Sequence, residues 1–220
     1  MIELISIHVP KSAGSSFRFA LKEAYGPERV FEDYADRLGD PTSAMNLDPD
    51  GFFAAQHALP DTADVVHGHF HVDKYRHLPD SIPRIAFLRH PVERTVSHYH
   101  YWMRLPSVGH RLHDYVLERQ LDLLAFARLP FIRRFYSGVM FRDAWMERLH
   151  FIGHFESIQD DVADLGRLLG RDLKLGIENA GVPCNPVGDT TRAELLEILR
   201  EDVAFYQRWA GWRRWPAGEA

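Results

Sequence analysis

The stretch from Ile2 to Phe17 constrains this chain more than any other. An apolar run (Ile2, Leu4, Ile5, Ile7, Val9) stops at Pro10. A loop of small residues follows, Lys11-Ser12-Ala13-Gly14-Ser15-Ser16. A helical pattern over Ser15 to Tyr25 then puts Phe17, Leu21 and Ala24 on one face, and Gly26-Pro27 closes it. A buried strand over Met1 to Val9 that runs through a tight turn into a helix belongs to a parallel sheet covered by helices. The turn is also a ready anion site. The first N–H groups of the helix lack intrahelical partners, and the helix dipole favours negative charge there. Lys11 adds a full charge, and Ser12, Ser15 and Ser16 add hydroxyl donors.

Further strands are expected at Ala63 to His67, Arg84 to Leu88 and Phe151 to Phe155. Helices are expected from Pro91 to about Arg104, from His110 to Arg128, from Phe141 to Leu149, and from Ser157 to Leu169, where Gly170 closes the last of them. Thr191-Arg192-Ala193-Glu194 reads as a capping box opening a final helix with Leu195, Leu199, Val203 and Tyr206 at helical spacing. Asp36 to Pro60, rich in Asp, Pro, Gly and Ala, reads as a long irregular excursion, a lid or a specificity loop. The expected architecture is α/β, a P-loop-like three-layer domain with a central, mainly parallel sheet flanked by helices. One such domain spans residues 1–220. Ligands of these sheets bind at the C-terminal strand ends. His8 to Ser16, His67 to His71 and Arg89 to Ser97 each follow a strand, so all three are expected at one sheet edge.

With 220 residues, 45% of them hydrophobic, the chain can bury a sizeable core. The formal net charge of -5 gives no global basic footprint for nucleic acid, although a basic cleft on an acidic body remains open. Cys184 is the single cysteine, which excludes an intrachain disulfide and a thiolate metal cage and suits a reducing compartment. No stretch approaches a membrane span and no leader pattern precedes the first strand, so a cytoplasmic location is expected.

Three segments carry chemistry. The Walker order places Lys directly before the Ser/Thr that holds magnesium, after two glycines. Here Lys11 precedes Gly14 and no glycine precedes Lys11, so the geometry is related but the order differs. An ordinary strand-to-helix turn with an exposed lysine is the plain alternative. Arg89 at a strand end can grip a phosphate with its fork, and Ser97, two turns into the following helix, can donate from the face looking back at that end. Taken alone, that pair reads first as an Arg on neighbouring carbonyls and a Ser on a solvated face. His67-Gly68-His69-Phe70-His71 sets alternate histidines on one side of an extended segment. Such histidines suit a metal, a surface strand end, or a general base at neutral pH.

His8-Val9-Pro10-Lys11-Ser12-Ala13-Gly14-Ser15-Ser16-Phe17 and Phe87-Leu88-Arg89-His90-Pro91-Val92-Glu93-Arg94-Thr95-Val96-Ser97-His98-Tyr99 together resemble the two signatures of the 3′-phosphoadenosine 5′-phosphosulfate (PAPS)-dependent sulfotransferases. Within that superfamily they look like the carbohydrate-type family 2 form, H-[IV]-P-K-[ST]-x-G-[ST]-S and F-L-R-D-P-x-E-R-x-x-S-x-Y. His90 stands where that pattern has Asp. Phe151-Ile152-Gly153-His154-Phe155-Glu156 is similar to the family's late strand, and Val182-Pro183-Cys184-Asn185-Pro186-Val187 to its Pro-x-x-Asn-Val segment.

The resemblance implies that residues Lys11 to Phe17 hold the 5′-phosphosulfate and that Arg89 and Ser97 hold the 3′-phosphate. The heparan and uronyl 2-O-sulfotransferases carry a similar His-Gly-His that supplies the base. By that likeness His69 is the first candidate and His67 the second, with Lys11 stabilising the leaving group and His71 structural or substrate-facing. PAPS is the implied co-substrate, no metal is required, and the acceptor is a hydroxyl, most naturally on a saccharide. A P-loop-type small-molecule kinase and a non-catalytic nucleotide- or metal-binding protein are the alternatives. His98-Tyr99-His100-Tyr101-Trp102 reads as helix packing or as an aromatic wall of the acceptor cleft. The Trp209, Trp212, Arg213, Arg214 and Trp215 cluster reads as a docked C-terminus, with a membrane-surface or glycan contact as the sharper alternative.

Overall fold

Strand β1 (Leu4–Ile7) lies at the centre of a five-stranded sheet. The computed structural model describes residues 1–34, 59–107, 109–141, 146–176 and 187–215. Helix α1 (Gly14–Tyr25) follows β1, then a short turn of 3₁₀ helix and β2 (Val30–Asp33). Next come β3 (Val65–Gly68), β4 (Arg84–Leu88) and α2 (Pro91–Arg104), with Pro91 at the first helical position as expected. The strand order is β2-β3-β1-β4-β5 with β5 at Phe151–His154, and every ladder is parallel. The chain passes from β1 to one edge, returns through β3, and crosses β1 to reach β4. That reversal places the loops after β1 and β4 side by side at the C-terminal edge of the sheet.

Both faces are apolar because successive strand residues point to opposite sides. Leu4, Val65, Ile85, Phe87 and Phe151 meet Phe17, Leu21 and Tyr25 of α1, and Val162 and Leu165 of α6 (Ile158–Leu169). Ile5, Ile7, Val66, Ala86, Leu88 and Ile152 meet Phe135, Tyr136 and Met140, and Phe205 and Trp209 near the C-terminus. These are the three expected layers.

Several elements differ from expectation. Strand β2 has no counterpart in the sequence reading. Its Val-Phe-Glu-Asp is half charged, and pairing with β3 at one edge lets Glu32 stay half exposed beside Arg18 and Lys22. The helix expected over 110–128 is two, α3 (Arg111–Glu118) and α4 (Leu123–Arg128), parted where Gln120 takes φ 49° and capped anew by Asp122 Oδ1 on the Ala125 N–H at 2.7 Å. Helix α5 (Pro130–Arg133) leads into a π-helical turn, Phe135–Met140. The helix expected at Phe141 to Leu149 falls partly on 142–145, outside the described residues, as do 36–58 of the long excursion and 182–186 of the Pro-x-x-Asn-Val match.

The capping box at Thr191 is corrected. Helix α7 (Asp189–Ile198) starts two residues earlier behind Gly188, with Asp189 meeting the dipole, so Thr191 is already helical. The chain bends at Leu199, and α8 (Arg200–Trp209) follows. Trp212 Nε1 donates to the Leu149 carbonyl at 2.9 Å, and Phe151 bridges Arg213 on the open side of β5. The tryptophan-rich C-terminus therefore docks on the body and covers a sheet edge.

Candidate active site

The loop after β1 is held in a conformation that exposes its amides. Lys11 and Ala13 take φ 70° and 62°, a left-handed region sparsely used by residues with a Cβ. Two such residues within three positions mark a loop whose shape is imposed by its surroundings. Ala13 offers α1 no side-chain cap, and the first turn carries no acidic residue. The N–H of Phe17 is the first to find a helical partner, Ala13 O at 3.0 Å. The amides of Gly14, Ser15 and Ser16 thus lie at the positive end of the helix dipole without a capping side chain. Ser15 is exposed, Ser16 half-buried, and Ser12 buried with its Oγ beside the Tyr136 hydroxyl. Phe17 packs its ring on Phe87 at 4.9 Å, so it anchors the loop to the core.

Arg89 comes to this loop from the end of β4. Its Nη1 donates to the Lys11 carbonyl at 3.3 Å, its guanidinium lies over the Phe155 ring at 4.2 Å, and its buried Nε–H has no acceptor among the described residues. The two expected phosphate segments therefore touch. Ser97 stands half-buried in the second turn of α2. Farther along α2, Tyr101 places its ring 4.0 Å under the Lys11 ammonium while remaining 42% exposed. That is a cation–π contact at the mouth of the loop. Of the aromatic run on α2, Tyr101 faces the site. His98 is buried among Trp102, Phe126 and Phe135.

The histidines after β3 lie directly beside the loop, with His8 between. The His8 ring is 4.3 Å from His69 and stacked on His67 at 5.2 Å. Its Nδ1 is 3.0 Å from the Tyr34 hydroxyl, and the Tyr34 ring meets His69 edge-on at 4.8 Å. On its other side, a Cβ on Gly14 would fall 1.8 Å from His8 Cδ2, so only glycine fits at that start of α1.

His67 is 1% exposed, and its Nδ1 is bonded to Ser6 Oγ at 2.9 Å. His69 is half-buried, and its Nε2 has no hydrogen-bond partner among the described residues. His71 is buried against Asp73, a structural contact. Among the described residues no three His, Cys, Asp or Glu side chains are grouped to hold a metal ion.

Burial keeps these rings neutral. It pulls His69 down to about 4, and His67 to about 3 with help from the neighbouring His69. Burial, then His69 and His67, hold His8 well below the usual range, and burial with the Arg94 charge does the same to His98. Because the folded values lie below those of the unfolded chain, the unfolded chain binds protons first as pH falls. Stability is therefore expected to be full above about pH 6.5 and to decline toward pH 4. His69 alone accounts for about 3 kcal/mol of that decline. Urea midpoints followed from neutral to mildly acidic pH check this, and a midpoint unchanged down to about pH 5 would contradict it.

His8, Tyr34 and Tyr136 have roles that sequence reasoning did not assign. His8 stood inside the quoted loop motif and was the findable one. Tyr34 follows a strand that the pattern did not show, and Tyr136 lies in a π-helical turn with no sequence signature. Among the described residues no helix is long and apolar enough to cross a membrane.

No family model and no curated protein matches the sequence. Among solved structures, the chain is similar to a sulfotransferase from Alicyclobacillus acidocaldarius, at 19% identity over 94% of this chain and 95% of that one, with a TM-score of 0.47. It is also similar to mouse sulfotransferase SULT7A1 complexed with PAP, at 14% identity over 92% of this chain and 65% of that one, with a TM-score of 0.39.

Proposed function

We propose that this chain is a sulfotransferase that moves a sulfonate from PAPS to an acceptor hydroxyl, with His69 as general base. The observation that carries the reading is a juxtaposition at one sheet edge. The Arg89 guanidinium touches the Lys11 loop, and His69 lies one ring away from that loop through His8. Two cationic grips beside a neutral, unpartnered imidazole suit a doubly phosphorylated donor and a proton-bearing acceptor.

The residues fit the donor chemically. The amides of Gly14, Ser15 and Ser16, uncapped and free of acidic neighbours, receive the 5′-phosphate without rearranging. Arg89, with its buried Nε–H unpartnered, and Ser97 take the 3′-phosphate. His69 Nε2 accepts the acceptor proton as the new O–S bond forms and the S–O bond to the 5′-phosphate breaks. Lys11 leaves the face of Tyr101 to neutralise the charge that gathers on the departing bisphosphate. His67, buried and bonded to Ser6, backs the cluster from beneath. The exposed Tyr101 ring at the mouth of the loop supports a saccharide acceptor, since aromatic faces commonly line such clefts. A kinase reading would need a displaced Walker lysine together with a magnesium carboxylate, and among the described residues no three His, Cys, Asp or Glu side chains are grouped to hold a metal ion, so it is the second choice.

Thermal shift with adenosine 3′,5′-bisphosphate, ATP-magnesium and zinc separates the classes. The bisphosphate is expected to stabilise the protein, and stabilisation by ATP-magnesium alone would overturn the reading. Arg89→Ala is expected to weaken bisphosphate binding by about 10- to 100-fold, the worth of a charge-assisted grip. Calorimetry reads this directly, and unchanged affinity would remove Arg89 from the site.

A further inference from the structure

One buried hydroxyl holds the end of β4 at the place where the sheet can no longer do so. Tyr136 is fully buried. Its hydroxyl donates to the Arg89 carbonyl at 2.7 Å and accepts the Arg89 N–H at 3.2 Å. Ladder pairing of β4 ends at Leu88, opposite His154, so Arg89 is the first residue whose two backbone groups need other partners. A single side chain serves both. Ser12 Oγ lies beside the same hydroxyl, so it also borders the Lys11 loop.

Tyr136 is itself pinned. It belongs to the π-helical turn, a geometry that recurs at functional sites. The buried Asp202 carboxylate of α8 accepts the N–H of Tyr136 at 2.9 Å and the N–H and hydroxyl of Ser137 at 3.0 and 2.9 Å. The fully buried Arg94 guanidinium lies over Phe135 at 4.1 Å and Tyr136 at 5.4 Å. The turn is thus held by a carboxylate below and a cation beside it, and its one polar tip reaches the anion site.

We propose that Tyr136 is a positioning residue for the donor site, setting the direction in which Arg89 leaves the strand and so the placement of its guanidinium across the Lys11 loop. This rests on the sulfotransferase reading for the identity of the ligand, but not for the clamp itself. Fixing a cation before the anion arrives removes the ordering cost from binding.

Tyr136→Phe keeps the ring, with its neighbours Phe141 and Phe205, and removes the hydroxyl. In the ligand-free full-length protein, the Arg89 amide is expected to lose protection against hydrogen exchange in this variant. The Kd for adenosine 3′,5′-bisphosphate and the KM for PAPS are expected to rise about tenfold, with kcat nearly unchanged. In an Arg89→Ala background the same substitution should add nothing to Kd. Additive effects in the double variant, or an unaltered Kd in a folded Tyr136→Phe protein, would overturn the proposal. Should Tyr136→Phe not fold, Asp202→Asn loosens the same turn from outside the site, and there too an unaltered Kd would overturn it. Failure of the wild-type protein to bind the bisphosphate would instead overturn the functional reading, while loss of Arg89 amide protection in Tyr136→Phe would still establish the clamp.

Discussion

His69→Ala is expected to lower kcat by about 10²–10⁴-fold, the usual worth of a general base, while bisphosphate affinity stays close to that of the wild type. Two histidines are near the loop, and their surroundings separate them. His67 is shut beneath α1, with Phe17 beside its ring and Ser6 on its Nδ1. An acceptor hydroxyl cannot reach it without moving the helix. Nε2 of both rings lacks a hydrogen-bond partner among the described residues, but His69 is half-buried where His67 is 1% exposed. The depressed value of about 4 at His69 leaves it neutral and able to accept a proton at pH 7. The acid limb of kcat/KM for the free enzyme should accordingly fall near pH 4, well below the range of an ordinary imidazole. His67→Ala should chiefly lower the unfolding midpoint, because it leaves Ser6 unpaired and a space under α1. Full activity in His69→Ala, with a folded but dead His67→Ala, would reverse the two roles.

Gly14→Ala is expected to destabilise the chain by about 3 kcal/mol and to abolish bisphosphate binding, and His8→Ala is expected to restore much of the lost stability. The added methyl would fall 1.8 Å from His8 Cδ2 and 1.9 Å from Nε2. The His8 ring has nowhere to retreat. His67 stacks on it, His69 closes one side, and the Tyr34 hydroxyl holds Nδ1. Either the loop shifts away from β3 or the cluster breaks. Both outcomes move the Gly14, Ser15 and Ser16 amides off the anion position. With alanine at position 8 the methyl has space, so the double variant should unfold at a higher temperature than Gly14→Ala alone. A double variant no more stable than the single one would show that the collision with His8 is not the cause. Binding in the double variant then reports whether the His8 ring is needed for more than space.

Local chemistry made much of this fold legible. The apolar run that ends at Pro10, Pro91 at a helix start, and Gly170 in the left-handed region after α6 are signals carried by a few neighbouring residues. Where the signal was weak or shared, the reading missed. Val30–Asp33 is too short and too charged to announce a strand, and β3 supplies the pairing that makes it one. The apolar pattern continues across 110–128, yet the helix breaks where Gln120 takes φ 49°, and Val116 on α3 and Phe126 on α4 pack into the same small core with Ile132. The π-helical turn depends on Asp202, which is 66 residues from Tyr136.

Bonded neighbours alone carry the strand–loop–helix unit and the residue types that could grip a phosphate or take a proton. Which of those residues meet, and how deeply each is buried, follows from the order of the strands and the helix laid over them. Arg89 contacts Lys11 across 78 positions, because the sheet order sets β4 beside β1. His69 is half-buried and His67 fully buried, because Phe17 of α1 lies beside the His67 ring. Partner choice and burial are properties of packing between distant segments, and no short stretch of sequence encodes them.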